Sequence, residues 1–146
     1  MRSSSRVIAA VAGIVSLLAF STAAVAASPH FIGTPTATVS GNALTVSFKA
    51  AGLGNAAGAT FNLTGNVEVF SRCYNNGGNK PQADNKQETI AVNQTQTFPV
   101  RNGQTTGSFT VTPLSTLTCP GNQVVVIESV DYSDLVLSGE GLTFEF

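Results

Sequence analysis

From residue 28 onward, apolar and polar positions alternate with a period of two between breaks rich in Gly and Asn. That spacing predicts β-strands, and no stretch of this region carries the 3.6-residue period of an amphipathic helix. Turn sites can be tested by asking whether pairing across them keeps the apolar residues on one face. A two-residue turn at Gly41-Asn42 sets Val39 opposite Leu44 and Ala37 opposite Val46, with every apolar residue on one side. At Asn102-Gly103 the same test aligns Phe98 and Val100 with the face that carries Phe109 and Val111. Turns at Ser133-Asp134 and Gly139-Glu140 place Val130 opposite Leu137, Leu137 opposite Leu142 and Leu135 opposite Phe144, which predicts a C-terminal three-stranded meander.

Gly65-Asn66 resembles a hairpin turn but fails this test, because pairing there would set Glu68 against Leu63. Read straight through, Ala59, Phe61, Leu63, Val67, Val69 and Cys73 share one side, while Thr60, Asn62, Thr64, Glu68 and Arg72 share the other. A flat strand of that length would run about 50 Å, too long for so small a domain. A bulge or bend near Gly65 is therefore expected. Further strand signals lie at 88–92 and 124–132. Seven to nine short strands with one disulfide predict an all-β fold, an antiparallel β-sandwich of immunoglobulin-like or jelly-roll type. The Cys…Trp…Cys hallmark of true immunoglobulin domains is missing, since the chain has no Trp. Leu142, Phe144 and Phe146 could close an outer-membrane barrel. Such barrels need longer strands and aromatic girdles, which this chain does not offer.

The first 27 residues have a different character. Arg2 and Arg6 precede an uncharged apolar run over 7–20, followed by small residues that include Ala24-Val25-Ala26. These are the parts of a cleavable secretory signal. The apolar run falls short of the roughly 20 residues of a membrane-spanning helix. The expected organisation is a signal peptide over 1–27 and a single domain over 28–146, secreted and without a membrane span in its mature form. Cleavage would remove two of the seven basic residues and leave all eight acids. With no basic patch, nucleic acid and anionic membrane are poor candidate partners.

Cys73 and Cys119 are the two cysteines, and in an exported chain an even count predicts a disulfide. Cys73 on the core side could let that bridge tie two sheets together. His30 is the single histidine, so a Ser-His-Asp arrangement or a histidine brace has too few parts. Cleavage after Ala27 would expose Ser28-Pro29-His30, but Pro29 lacks the N–H that an amino-terminal copper chelate uses. Glu128, Asp131 and Asp134 are the densest acids and could bind calcium if they lay on a loop; a solvated turn is the plainer reading. No cofactor and no metal is expected. The polar stretch over 74–86, rich in Gly and Asn, leaves directly from Cys73 and is the best candidate for a working surface. Tyr74 offers a flat apolar face there, and Asn75, Asn76, Asn79 and Lys80 offer hydrogen-bonding groups. A plain turn whose asparagines satisfy their own backbone is the alternative. Asn62-Leu63-Thr64 and Asn93-Gln94-Thr95 fit the glycosylation acceptor pattern, which matters in a eukaryotic host.

Several segments together resemble a group of small secreted proteins of actinobacteria, with some fungal relatives. They are Pro29-His30-Phe31-Ile32, Val46-Ser47-Phe48-Lys49-Ala50-Ala51-Gly52-Leu53-Gly54, Cys73-Tyr74-Asn75-Asn76-Gly77-Gly78-Asn79-Lys80-Pro81-Gln82-Ala83 with Asn85-Lys86, Asn102-Gly103-Gln104 and Cys119-Pro120. The Gly-Gly-Asn-x-Pro segment after the first cysteine is the most specific. The resemblance implies export and a single β domain, and it supplies no functional residues. The function expected is therefore a non-catalytic secreted protein. It would bind an extracellular or cell-envelope ligand, a glycan among the candidates, through the 74–86 loop. One alternative is a small hydrolase using carboxylates such as Glu68, Glu88 or Glu128, which would need a close pair of them. Another is a surface protein that associates with itself through exposed edges or through the apolar residues Val125 and Ile127.

Overall fold

The computed structural model describes residues 28–75, 77–78 and 85–146; the segment expected to be a signal peptide lies outside them. Among the described residues there are eight strands: β1 (His30–Phe31), β2 (Thr36–Ser40), β3 (Ala43–Ala51), β4 (Gly58–Tyr74), β5 (Asn85–Pro99), β6 (Thr105–Val111), β7 (Val124–Gly139) and β8 (Leu142–Glu145). No helix is present among them. They form two antiparallel four-stranded sheets. In the first, β3 pairs with β1 and β2 along one edge and with β6 along the other; the second runs β5-β4-β7-β8. The expected β-sandwich and its strand count are found, but β4, β5 and β7 are long, at 17, 15 and 16 residues.

The core lies between the sheets. Val46, Phe48, Phe61, Leu63, Val69, Phe109 and Leu137 are buried there. Phe48 and Phe61 bring the two sheets into contact with ring centroids 4.5 Å apart, and Phe98 meets Phe48 edge-on at 5.3 Å. Phe48 stands across the ladder from Gly107, and a Cβ on Gly107 would come within 2.5 Å of its ring. A large residue against a glycine is how this sheet accommodates the ring.

The β2–β3 hairpin has the expected pairs, Val39 with Leu44 and Ala37 with Val46, around a turn opened by Gly41 at φ 58°. Glycine at that first central position suits a type II′ turn, whose twist matches the strands. The Asn102-Gly103 turn also forms, both residues at positive φ, with Arg101 and Gln104 exchanging backbone hydrogen bonds of 2.8 and 3.0 Å. Beyond that bridge the chain divides: β5 pairs with β4 in one sheet and β6 with β3 in the other. Phe98 and Phe109 do face the same core, 5.4 Å apart, but from opposite sheets.

The C-terminal meander needs two corrections. Ser133-Asp134 is not a hairpin turn. β7 runs through it with a register shift opposite Gly65, and Asp134 takes φ 53°. The final turn sits at Glu140-Gly141, both at positive φ, so Leu137 pairs with Phe144 and Gly139 with Leu142. Glycine second in a two-residue loop favours this type I′ placement. Moving the turn by one residue shifts each partner by two, so every side chain keeps its face and the alternation could not distinguish the two registers.

The bend expected near Gly65 is present. β4 is a single strand with register shifts against β7 at Thr64/Asn66 and at Phe70/Ser71. Its inward residues are those expected, with Cys73 fully buried.

Candidate functional site

The disulfide is formed, Cys73 to Cys119, with Cα atoms 5.6 Å apart. It does not join the two sheets. Cys119 belongs to the irregular connection over 112–123, which leaves the end of β6 and returns to β7. The bridge therefore fastens a crossing segment to the end of β4. Two further contacts hold that segment. The carboxylate of Glu88 accepts the Thr116 N–H at 2.7 Å and the Thr116 hydroxyl at 2.6 Å, with the Lys86 ammonium 3.2 Å away. Gln123 donates from Nε2 to Asn75 Oδ1 at 3.0 Å. The Thr116 hydroxyl and N–H, helped by Lys86, hold the Glu88 carboxyl at about 2, below its ordinary value.

The outer face at this end of β4 carries Phe70, Arg72 and Tyr74 in phase, since alternate residues of a strand share a face. Across the ladder, Tyr74 pairs with Val124 and Arg72 with Val126, both exposed. Glu128 stands at the second register shift, where β7 has one residue more than β4. That extra residue brings its carboxylate to both neighbours. Arg72 Nε lies 3.1 Å from Glu128 Oε2, and the Tyr74 hydroxyl donates to Glu128 Oε1. The Arg72 guanidinium also sits over the Phe70 ring, 5.0 Å from its centroid. Phe70, Arg72, Glu128 and Tyr74 are thus linked in a chain of contacts that restrains a polar and aromatic platform on the sheet.

Of the residues singled out from the sequence, Tyr74 lies on this platform and Asn75 at its rim. Asn75 also accepts the Gly78 N–H through its backbone oxygen at 2.9 Å. Asn76, Asn79 and Lys80 lie outside the described residues. Arg72 was legible as an outward residue from the alternation. Phe70, Val124, Val126 and Glu128 were missed as members of the site. Phase alone could have added Phe70, but the arrival of Glu128 depends on a bulge that no sequence signal marks.

Of the other acids, Glu68 shares this outer face and stands across the ladder from Asp131, while Glu88 lies on the other side of the sheet. Val69, whose side chain is fully buried, pairs with Glu88, whereas Glu68 is on the exposed face. The sheet itself therefore separates Glu68 from Glu88. Glu68 accepts a hydrogen bond from Gln87 Nε2 on the outer face. Glu128, Asp131 and Asp134 lie on β7 rather than on a loop, and Asp134 accepts from Asn66 at 3.3 Å. Among the described residues no group of three or more His, Cys, Asp or Glu is placed to hold a metal ion. His30 is exposed in the short edge strand β1, its Nδ1 2.9 Å from the Ser28 carbonyl. No helix of the described residues is long and apolar enough to cross a membrane. Comparison with protein-family models, curated proteins and solved structures finds no match to this chain.

Proposed function

We propose that this protein is exported and oxidised outside the cytoplasm, and that it is a non-catalytic domain binding an extracellular or cell-envelope ligand, of which a glycan is the best candidate. The binding surface is the outer platform of Phe70, Arg72 and Tyr74 with the adjoining segment that connects β4 to β5. The observation that carries this reading is the joint hold of Glu128 on Arg72 and Tyr74. Side chains already restrained by a shared partner lose less freedom when a ligand docks, so more of the contact energy appears as affinity. Partly exposed rings beside amide and guanidinium groups suit sugar, which presents apolar ring faces and hydroxyls together. The disulfide supports an oxidising location, as does the resemblance to small secreted actinobacterial proteins. The non-catalytic reading is supported by the sheet between Glu68 and Glu88, and by the hydrogen-bonded or ion-paired state of Glu68, Glu88 and Glu128.

The test is a glycan array probed with purified, oxidised protein alongside Tyr74→Ala, Arg72→Ala and Asn79→Ala. Binding that falls at least roughly tenfold in the Tyr74 and Arg72 variants supports the platform. Silence of the wild-type protein across envelope and environmental glycans refutes the glycan assignment. Binding unaffected by all three variants refutes the surface.

A further inference from the structure

β7 has neighbours on both sides only near its end. β8 covers Val136, Leu137, Ser138 and Gly139, whereas among the described residues 124–133 pair with β4 alone. Exposed strand edges normally carry a charge, a proline or a bulge that prevents another strand from adding. In β7 those devices begin at Glu128, where the charge and the register shift coincide. Before it stands Val124-Val125-Val126-Ile127. Val124, Val125 and Val126 are 51%, 39% and 37% exposed, unusual for three successive β-branched residues. This stretch is apolar on both faces of the sheet and is unguarded.

We propose that the edge pairs antiparallel with the same edge of a second copy of this chain, about a twofold axis through Val125. The pairing does not depend on ligand binding at the platform. The edge is complementary to itself under a twofold axis, and its charge pattern selects the register. A twofold axis normal to the sheet keeps each residue on its own face, so one residue must stand opposite its own copy. Centred on Val125, the pairs are Val124 with Val126 and Gln123 with Ile127, and Glu128 comes level with Asn122. The apolar residues then meet apolar residues or the stem of an amide, and the carboxylate meets an amide. Centred on Val126, Glu128 opposes Val124. Centred on Ile127, it opposes Val126. Centred on Glu128 or Asp131, a carboxylate faces its own copy, a destabilising arrangement in a cross-strand pair. Centred on Val124, Val125 and Val126 face the amides of Gln123 and Asn122, so the Val125 register alone pairs all three valines with one another without setting an acid against them.

The consequence is a continuous six-stranded sheet, β5-β4-β7 followed by the same strands of the second copy in reverse order. Both outer platforms then lie on one side of it. The two β4 strands stand three strand spacings apart, about 14 Å. A repeating ligand could engage both platforms at once and gain avidity without any new contact. The pairing itself is short, so it belongs with weak, concentration-dependent interfaces.

Sedimentation equilibrium of the full oxidised chain, from micromolar to submillimolar concentration, should show a monomer–dimer equilibrium. Val124→Lys, which places a charge on an already exposed position opposite the uncharged Tyr74, should hold the chain monomeric while leaving its circular-dichroism melt unchanged. The register has its own test. A mixture of Val124→Cys and Val126→Cys proteins should cross-link under mild oxidation, whereas either variant alone should not. Both positions lie on the face opposite Cys73, away from the native bridge. A wild-type chain that stays monomeric throughout overturns the proposal. So does Val126→Cys cross-linking to itself as readily as the mixture. Because these readouts are mass and cross-linking, a failure to bind any glycan leaves them unaffected.

Discussion

Gly65→Ala tests the bend in β4 most directly. The residue holds φ 155° inside β4, facing the point where β7 carries its extra residue. A Cβ added there would come within 2.8 Å of Leu135 Cδ2 and 2.9 Å of the Ser133 carbonyl oxygen, with the Asp134 carbonyl oxygen at 3.1 Å. The Leu135 methyl could turn aside, although Leu135 is itself buried. The Ser133 oxygen is backbone and cannot move without shifting the bulge. Overpacking of this kind typically costs about 1–3 kcal/mol, and an L side chain at this backbone angle adds about 1 kcal/mol. Gly65→Ala should therefore destabilise the domain by about 2–4 kcal/mol, lowering the melting temperature by roughly 10–15 °C for a domain of this size. The assay is urea unfolding of oxidised protein, with Gly77→Ala as the control, since a Cβ at Gly77 meets nothing within 4 Å. A loss below about 0.5 kcal/mol, the range of ordinary surface substitutions, would mean that β7 does not close tightly over Gly65.

Three further outcomes follow from the same contacts. Reducing the disulfide, or replacing Cys73 and Cys119 together by Ser, should cost about 4 kcal/mol for a closed loop of this length, read as a lower urea midpoint. Glu88, held at about 2 by Thr116 and Lys86, is stabilising above its unfolded value near 4.5, and that contribution disappears as pH falls from about 4.5 to about 2. Following the Thr116 amide by NMR should reveal this titration, and Glu88→Gln should flatten the acid limb of the stability profile. The Tyr132 hydroxyl donates to the Asn42 carbonyl at 2.8 Å and also lies 3.2 Å from the Val111 carbonyl, which joins β7 to the opposite sheet. Tyr132→Phe should lose about 1 kcal/mol in thermal unfolding, the net worth of such a bond.

What the sequence determined by itself was the side of the sheet each residue takes. Alternation is a property of the strand alone, so Ala59, Phe61, Leu63, Val67 and Val69 could be assigned to the core, and Arg72 to the outside, without knowing any partner. The Gly41-Asn42 turn and the cysteine pair were legible for similar reasons: one is local backbone chemistry, and the other follows from there being only two cysteines. Tyr74 was legible too, as an aromatic residue one step beyond a core cysteine. The tertiary structure alone decided which strands became neighbours. Two registers, or two sheets, can satisfy the same alternation, so the parting of β5 from β6 and the one-residue move of the last turn left no trace in the pattern. The same holds for the contacts that build the surface. Glu88 takes its side of the sheet by alternation, but it meets Thr116 only because the 112–123 connection passes over it. Glu128 meets Arg72 and Tyr74 because β7 carries an extra residue at that point. Such contacts depend on distances between segments far apart in the chain, and those distances are set only when both sheets close on the phenylalanine core.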